Sequence, residues 1–347
     1  MDLKRSADNI LTVLDKAAER KITVFGDYCL DKYLYIDSSR NEPSLETGLT
    51  AYQVDRKGLY PGVGGTVVNN LCALGAGVCC VGLAGNDGEG YELLKGLEKI
   101  GAKTGLMVRS DEIMTSTYIK PMMGSEHEPY TEINRIDIRN FKKTSCELEE
   151  QLLINLNQAI KETEGVVVTD QFLELDYSVV TGRIRRELAE IAKCNTDKIF
   201  YADSRGFAGK YRNVIIKCNR FELPGADKSG DETGEDAILT LGAKLLSGNG
   251  RAVVVTAGVD GAYVFEGKEI THIPAFRVQG PIDIVGAGDA TNAGAILGLT
   301  LGLTLPDSIL LGMCISSITI QQIGVTGTAT IEQVKNRLLQ YTGLSIV

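Results

Sequence analysis

Short β-branched runs recur along the chain: "ITVF" at 22–25, "VCCVGL" at 78–83, "VVVT" at 166–169, "IFYA" at 199–202, "VII" at 214–216 and "AVVVT" at 252–256. Between many of them apolar residues fall at helical spacing, as in Leu93, Leu94, Leu97 and Ile100, which end at Gly101 in the manner of a C-terminal cap. Continuous apolar strands alternating with amphipathic helices predict an α/β fold, with a mostly parallel central sheet covered by helices on both faces. The first segment places Ile10, Leu11, Leu14, Ala17 and Ala18 on one face of an amphipathic helix. This differs from the pattern of a signal peptide.

Two stretches break the alternation, roughly 28–60 and 114–138. They hold extended patterns and turn residues without a good helix, so they are expected to project from the main sheet as a small β flap able to cover a site. "TAGVDGAYVF" (256–265) reads as a strand followed by a glycine hairpin. No internal repeat, low-complexity segment or long linker divides the chain, and one domain spanning 1–347 is expected. The longest apolar run, Ala290 to Leu305, is short and rich in Gly and Thr, and reads as a buried helix, so no membrane contact is expected.

Composition narrows the function. With 44% hydrophobic and 23% charged residues the chain has the balance of a globular protein. A net charge of −9 and the lack of a clustered basic run speak against a nucleic-acid partner. The eight cysteines form no C-x-x-C pair and read as reduced thiols of a cytoplasmic protein. Only His127 and His272 are present, which rules out a multi-histidine metal site and makes a histidine triad a poor fit.

In an open α/β sheet, ligands sit at the carboxyl ends of strands. "DIVGAGDATNAG" (283–294) joins an extended segment to a buried helix, so the amides of Gly286, Ala287 and Gly288 would face an anion at the positive helix end. Asp289 would then accept a proton from an attacking hydroxyl, and the helix end is expected to keep it ionised. The bland alternative is a plain helix cap. A nicotinamide fingerprint is only loosely imitated by Gly286, Gly288 and Asp307, and no Walker loop occurs. In "KCNRFEL" (217–223), Asn219 and Glu222 are three apart and could orient waters on Mg²⁺ from one turn, although a solvated loop is the commoner fate of such a pair. "FGDYCLDKY" offers Asp27 and Asp31, and "PGVGGTVVNN" offers glycines running into a helix; both suit sugar hydroxyls, while ordinary turn chemistry explains the aspartates equally well.

The order of these motifs resembles the ribokinase-like, PfkB-type carbohydrate kinases over essentially the whole chain. Within that family "VFGDYCLDKYLYIDSSR", "PGVGGTVVNNLCALGA", "NRID" (Asn134 to Asp137) and "YADSRG" (Tyr201 to Gly206) are most similar to the branch that phosphorylates heptose 7-phosphate. The resemblance implies a ribokinase-like three-layer α/β/α fold with a small β lid, Mg²⁺-ATP as phosphoryl donor and a sugar or sugar-phosphate acceptor. It assigns Asp289 as base, Gly286, Ala287 and Gly288 as anion hole, and Asn219 and Glu222 as organisers of Mg-ATP, Glu222 acting through water. Thr256, Gly258 and Gly261 fall near the nucleotide. Asp27, Asp31, Gly62, Gly64, Gly65, Thr66, Arg135, Asp170 and Arg205 fall on the acceptor side, and Asp283 matches a monovalent-cation ligand, for K⁺. A homodimer through the lid is implied as well.

Three departures stand out. Thr66 occupies the place of the family's sugar-binding Asn, with Asn69 and Asn70 one turn later. "TDQFLELDYS" keeps Asp170 but lacks the branch's Lys, and Arg205 stands where the branch has Lys. A nucleoside or other small-alcohol kinase of the same fold, with Tyr28, Tyr33 and Tyr35 as a base clamp, and a non-catalytic sugar or nucleotide sensor are the competing readings.

Overall fold

The computed structural model describes residues 1–125, 128–226 and 234–343; His127 lies outside them. The β-branched runs pair into an eight-stranded sheet. Its order is Glu269–Ile273, Ala262–Glu266, Val253–Thr256, Ile215–Asn219, Ile199–Ser204, Gly165–Asp170, Lys21–Gly26 and Gly77–Val81. Six of these strands run parallel, and the hairpin strands 262–266 and 269–273 form an antiparallel edge.

Alternation along the central strands explains the two helical layers. Ile22, Val24, Val167, Tyr201 and Val254 point into one apolar core with helices Gly64–Ala73, Ala287–Thr300 and Leu305–Thr319. Phe25, Val166, Val168, Phe200 and Val255 point into the other, against helices Cys146–Ile160, Gly182–Cys194 and Glu235–Asn249. The first helix, Leu3–Val13, buries Ala7 and Ile10. Of its expected apolar face, Leu14 and Ala17 are buried in a following 3₁₀ turn, while Ala18 is exposed because that tighter turn rotates it outward. Among the described residues no helix is long and apolar enough to cross a membrane.

The two excursions pair with each other in a second sheet. Tyr28–Asp37 lies between Val54–Val63, antiparallel, and Thr117–Ser125, parallel; Glu128–Glu132 and Ile136–Ile138 pair with Thr117–Ser125. Register places Asp31 between Tyr60 and Tyr118, and Tyr33 between Gly58 and Lys120. Where this sheet meets helix Gly64–Ala73, Val63 has φ 55° and ψ −112°, a conformation foreign to β-branched residues. The eight cysteines are all free; Cys29, Cys80, Cys218 and Cys314 are buried, and Cys146 and Cys194 are exposed rather than core.

Candidate active site

The turn before helix Ala287–Thr300 is shaped by Gly286, whose φ of 79° favours glycine. A Cβ there would meet the methyl groups of Thr326, at 2.9 Å, and Thr66, at 3.3 Å, so this turn closes against the 62–66 segment. Asp283 pins the turn from below. Its Oδ1 accepts from the Val285 amide (3.1 Å) and its Oδ2 from the Gly324 amide (3.3 Å). The Ala287 amide donates to the Ile284 carbonyl at 3.1 Å. A ligand oxygen would therefore have to compete for that member of the expected anion hole.

Asp289 sits half-buried in the first turn of this helix. Contrary to the expectation from the helix end, its carboxyl is pushed up to about 8, first by burial and next by Asp203, with Asp31 and Glu222 adding to the rise and Lys217 opposing it. The reason lies in magnitudes. A helix end is worth about 0.3–1 kcal/mol, less than one pKa unit, whereas burial shifts carboxylates by up to about 3–5 units.

Beneath Asp289 lies a charged pair absent from the motif reading. Asp203 and Lys217 are register partners on adjacent strands, and both are buried. Lys217 Nζ donates to Asp203 Oδ2 at 2.9 Å, and Asn292 Nδ2, one helical turn after Asp289, donates to the same oxygen at 2.6 Å. A strand lysine in an apolar run carries no spacing signal, and only the register brings it to the site.

On the side facing the second sheet, Asp31 is 9% exposed and lies diagonal to Gly62, where an added Cβ would overlap its carboxylate. Lys120 pairs with Asp31 Oδ1 at 3.4 Å and donates to the Tyr33 hydroxyl at 3.0 Å. Burial pushes the Asp31 carboxyl up against the pull of Lys120 and Arg135. Sequence reasoning missed Lys120, which becomes recognisable only once Thr117–Ser125 is placed beside Tyr28–Asp37. Gly64, Gly65 and Thr66 are buried at the start of their helix.

At the other end, Asn219 and Glu222 form a closed turn instead of two free side chains. Asn219 Oδ1 accepts from the Phe221 and Glu222 amides (2.9 and 3.0 Å), and the Asn219 amide donates to Glu222 Oε2 at 2.8 Å. Glu222 is pushed up by burial and by Asp203, against the pull of Lys217, the Asn219 amide and, least, Arg205. Its second carboxylate oxygen suits a water on a nucleotide-borne Mg²⁺. Among the described residues no group of three or more His, Cys, Asp or Glu forms a protein-built metal cage. Thr256 is the register partner of Asn219. Gly258, at φ 63°, opens onto free space, whereas Gly261 is pressed on the Ile273 carbonyl and serves the hairpin. A cavity of about 450 Å³ lies alongside, lined by Val259, Asp260, Tyr263, His272 and Pro274 among others.

Several other residues expected on the acceptor side differ from Asp31 in their surroundings. Asp27 is 2% exposed, with Oδ1 taken by the Val179 amide (3.0 Å) and Oδ2 by the Gln171 amide (2.9 Å). It braces a loop, and burial together with Asp170 pushes it up to about 7. Asp170 is wholly buried; its Oδ2 accepts from Arg185 (3.2 Å), Ser204 (2.8 Å) and Tyr211 (2.8 Å), so it holds strand ends together out of reach of a ligand. Arg205 is exposed and acts on Glu222, at the nucleotide end of the cleft. Arg135 is exposed and bidentate with Asp137 (2.7 and 2.8 Å). Tyr28 cannot clamp a base, since it is buried with its hydroxyl on the Val24 carbonyl.

A helix start with an aspartate in its first turn thus stands at the carboxyl edge of a parallel sheet, next to a second β layer. The chain belongs to the pfkB family of carbohydrate kinases, whose model matches residues 20–332. It is 27% identical over 328 residues to the bifunctional protein HldE of Hyphomonas neptunium, and 30% identical over 321 residues to that of Desulfatibacillum aliphaticivorans. These alignments cover 94% and 90% of this chain but only 65% and 61% of the relatives, so the chain spans less than two thirds of their length. Among solved structures, Arabidopsis thaliana ribokinase complexed with ribose and ATP superposes with a TM-score of 0.66 at 16% identity, covering 92% of this chain and 98% of that one.

Proposed function

We propose that this protein transfers the γ-phosphoryl group of ATP to a hydroxyl of a sugar phosphate of the heptose 7-phosphate kind. The observation that carries the reading is the meeting of Asp289 at the Gly286–Gly288 turn with Asp31 and Lys120 of the second sheet. Asp31 and Lys120 would bind and orient the acceptor, with one charge of each sign to meet hydroxyls and an anionic group. Asp289 would remove the proton from the attacking hydroxyl while the Gly286 and Gly288 amides stabilise the phosphoryl oxygens. Mg²⁺, when bound with ATP, neutralises phosphate charge; Glu222 would hold its waters, and Asn219, whose Oδ1 is taken by the Phe221 and Glu222 amides, would brace that turn. The nucleotide would lie along Thr256 and Gly258 toward the 450 Å³ cavity, and Asp283 is the candidate K⁺ ligand.

The second sheet would act as a lid and as a homodimer surface. The 42–51 segment next to it, where Glu42–Pro43 and Thr50–Ala51 pair as a separate small hairpin, exposes Leu45 and Leu49, and Tyr52 and Val54 are exposed beside it.

ADP release from Mg-ATP, measured against free sugars, sugar phosphates and nucleosides, tests the reading. Turnover on a heptose or hexose phosphate that is lost in Asp289→Asn is expected. Turnover confined to nucleosides would replace it with the nucleoside-kinase alternative, and ligand binding without any ADP release would replace it with the sensor.

A further inference from the structure

Lys217 is the buried charged group that the reaction scheme above leaves unused. Its side chain is 5% exposed, and among the described residues its ion-pair partner is Asp203. An ammonium carries three donors. Asp203 Oδ2 takes one, and that same oxygen is shared with Asn292, which fixes the direction in which the ammonium is held. The pair lies immediately under the glycine turn. A Cβ added to Gly288 would stand 3.2 Å from Lys217 Nζ, closer to it than to any other group outside its own helix backbone and chain neighbours. Gly288 thus gives the ammonium access to the space in front of the helix start.

Charge counting sharpens the point. Asp203, Glu222 and Asp289 all favour the charged form of Lys217 against its burial, so acidic groups gather on one buried cation. A buried ion pair kept for stability alone is a poor bargain, because apolar residues of similar volume do as well or better. The anion hole also lacks donors, since the Ala287 amide is engaged with Ile284.

We infer that Lys217 is a further catalytic residue, whose ammonium, held by Asp203 and Asn292, reaches past Gly288 to an oxygen of the transferring γ-phosphoryl group. The inference rests on the phosphoryl-transfer reading of this site. It predicts that Lys217 distinguishes a triphosphate from a diphosphate, a readout that needs no acceptor.

The test is calorimetric binding of Mg²⁺ with ADP, and of Mg²⁺ with the β,γ-imido analogue of ATP, to the full chain, to Lys217→Met and to Lys217→Arg. Because Lys217→Met alone leaves Asp203 buried without a counter-charge, the double variant Lys217→Met/Asp203→Asn is measured as well, with retained ADP affinity as its proof of folding. The expected result is a loss of roughly tenfold or more in analogue affinity with little change for ADP in both Met variants, and partial recovery in Lys217→Arg. Equal effects on the two nucleotides, or none on either, would overturn the assignment while leaving the kinase reading intact. Failure of the unaltered protein to bind either nucleotide would remove both.

Discussion

Burial and Asp203 push the Asp289 carboxyl up to about 8, which favours its protonated form at neutral pH. A base must lose that proton before it can act, so kcat/KM is expected to rise about tenfold per pH unit up to about pH 8 and then level, as a profile from pH 6 to 9.5 would show. Asp289→Asn should lower kcat by on the order of 10²–10⁴-fold in the coupled ADP assay. The same substitution should stabilise the fold. The unfolded carboxyl ionises near its ordinary 3.8 while the folded one holds its proton until about 8, so its contribution is fully present below 3.8 and is lost as pH rises through 8. Thermal melts should show the variant ahead by on the order of 1 kcal/mol, a few degrees, at pH 8.5, with the gap closing toward pH 4. Spacing alone pointed to Asp289 and its glycines, because a turn entering a helix is written in adjacent residues. Lys217 and Lys120 were not legible, because each acquires its meaning from a neighbour on another strand.

At the scale of elements, the glycine turn and the second sheet divide the work. Gly286→Ala would force a left-handed φ on alanine and drive its methyl into Thr326. Its kcat is expected to fall by on the order of tenfold or more, with the melting temperature reduced, measured side by side. Lys120→Met should act on the acceptor alone, raising its KM by roughly 10- to 100-fold and leaving the KM for ATP near its original value. If both KM values rise together, Lys120 does not define the acceptor side. The strands were legible because each is a short β-branched run, and the excursions were legible because helical periodicity fails there. The surroundings of Asp27 and Asp170 were not legible for a related reason. An aspartate at a strand end looks the same in sequence whether it faces a ligand or, as both do, the amides and side chains of neighbouring segments.

For the whole molecule, periodicity gave the layers but not the strand order, which depends on pairings between residues as distant as Ile22 and Gly165. If two copies associate through the second sheet, Leu45→Glu with Leu49→Glu should shift the protein to a monomer in sedimentation velocity while Mg-ADP still binds, because neither residue is among those that would hold the nucleotide. Val63 joins this sheet to the body. Held at φ 55°, it stores on the order of 1–3 kcal/mol that a glycine would release. A lineage selected only for heat resistance would have little reason to retain valine at that joint. Val63→Gly is therefore expected to raise the melting temperature with acceptor discrimination as the trait surrendered, which thermal melts beside kcat/KM on two acceptors would check.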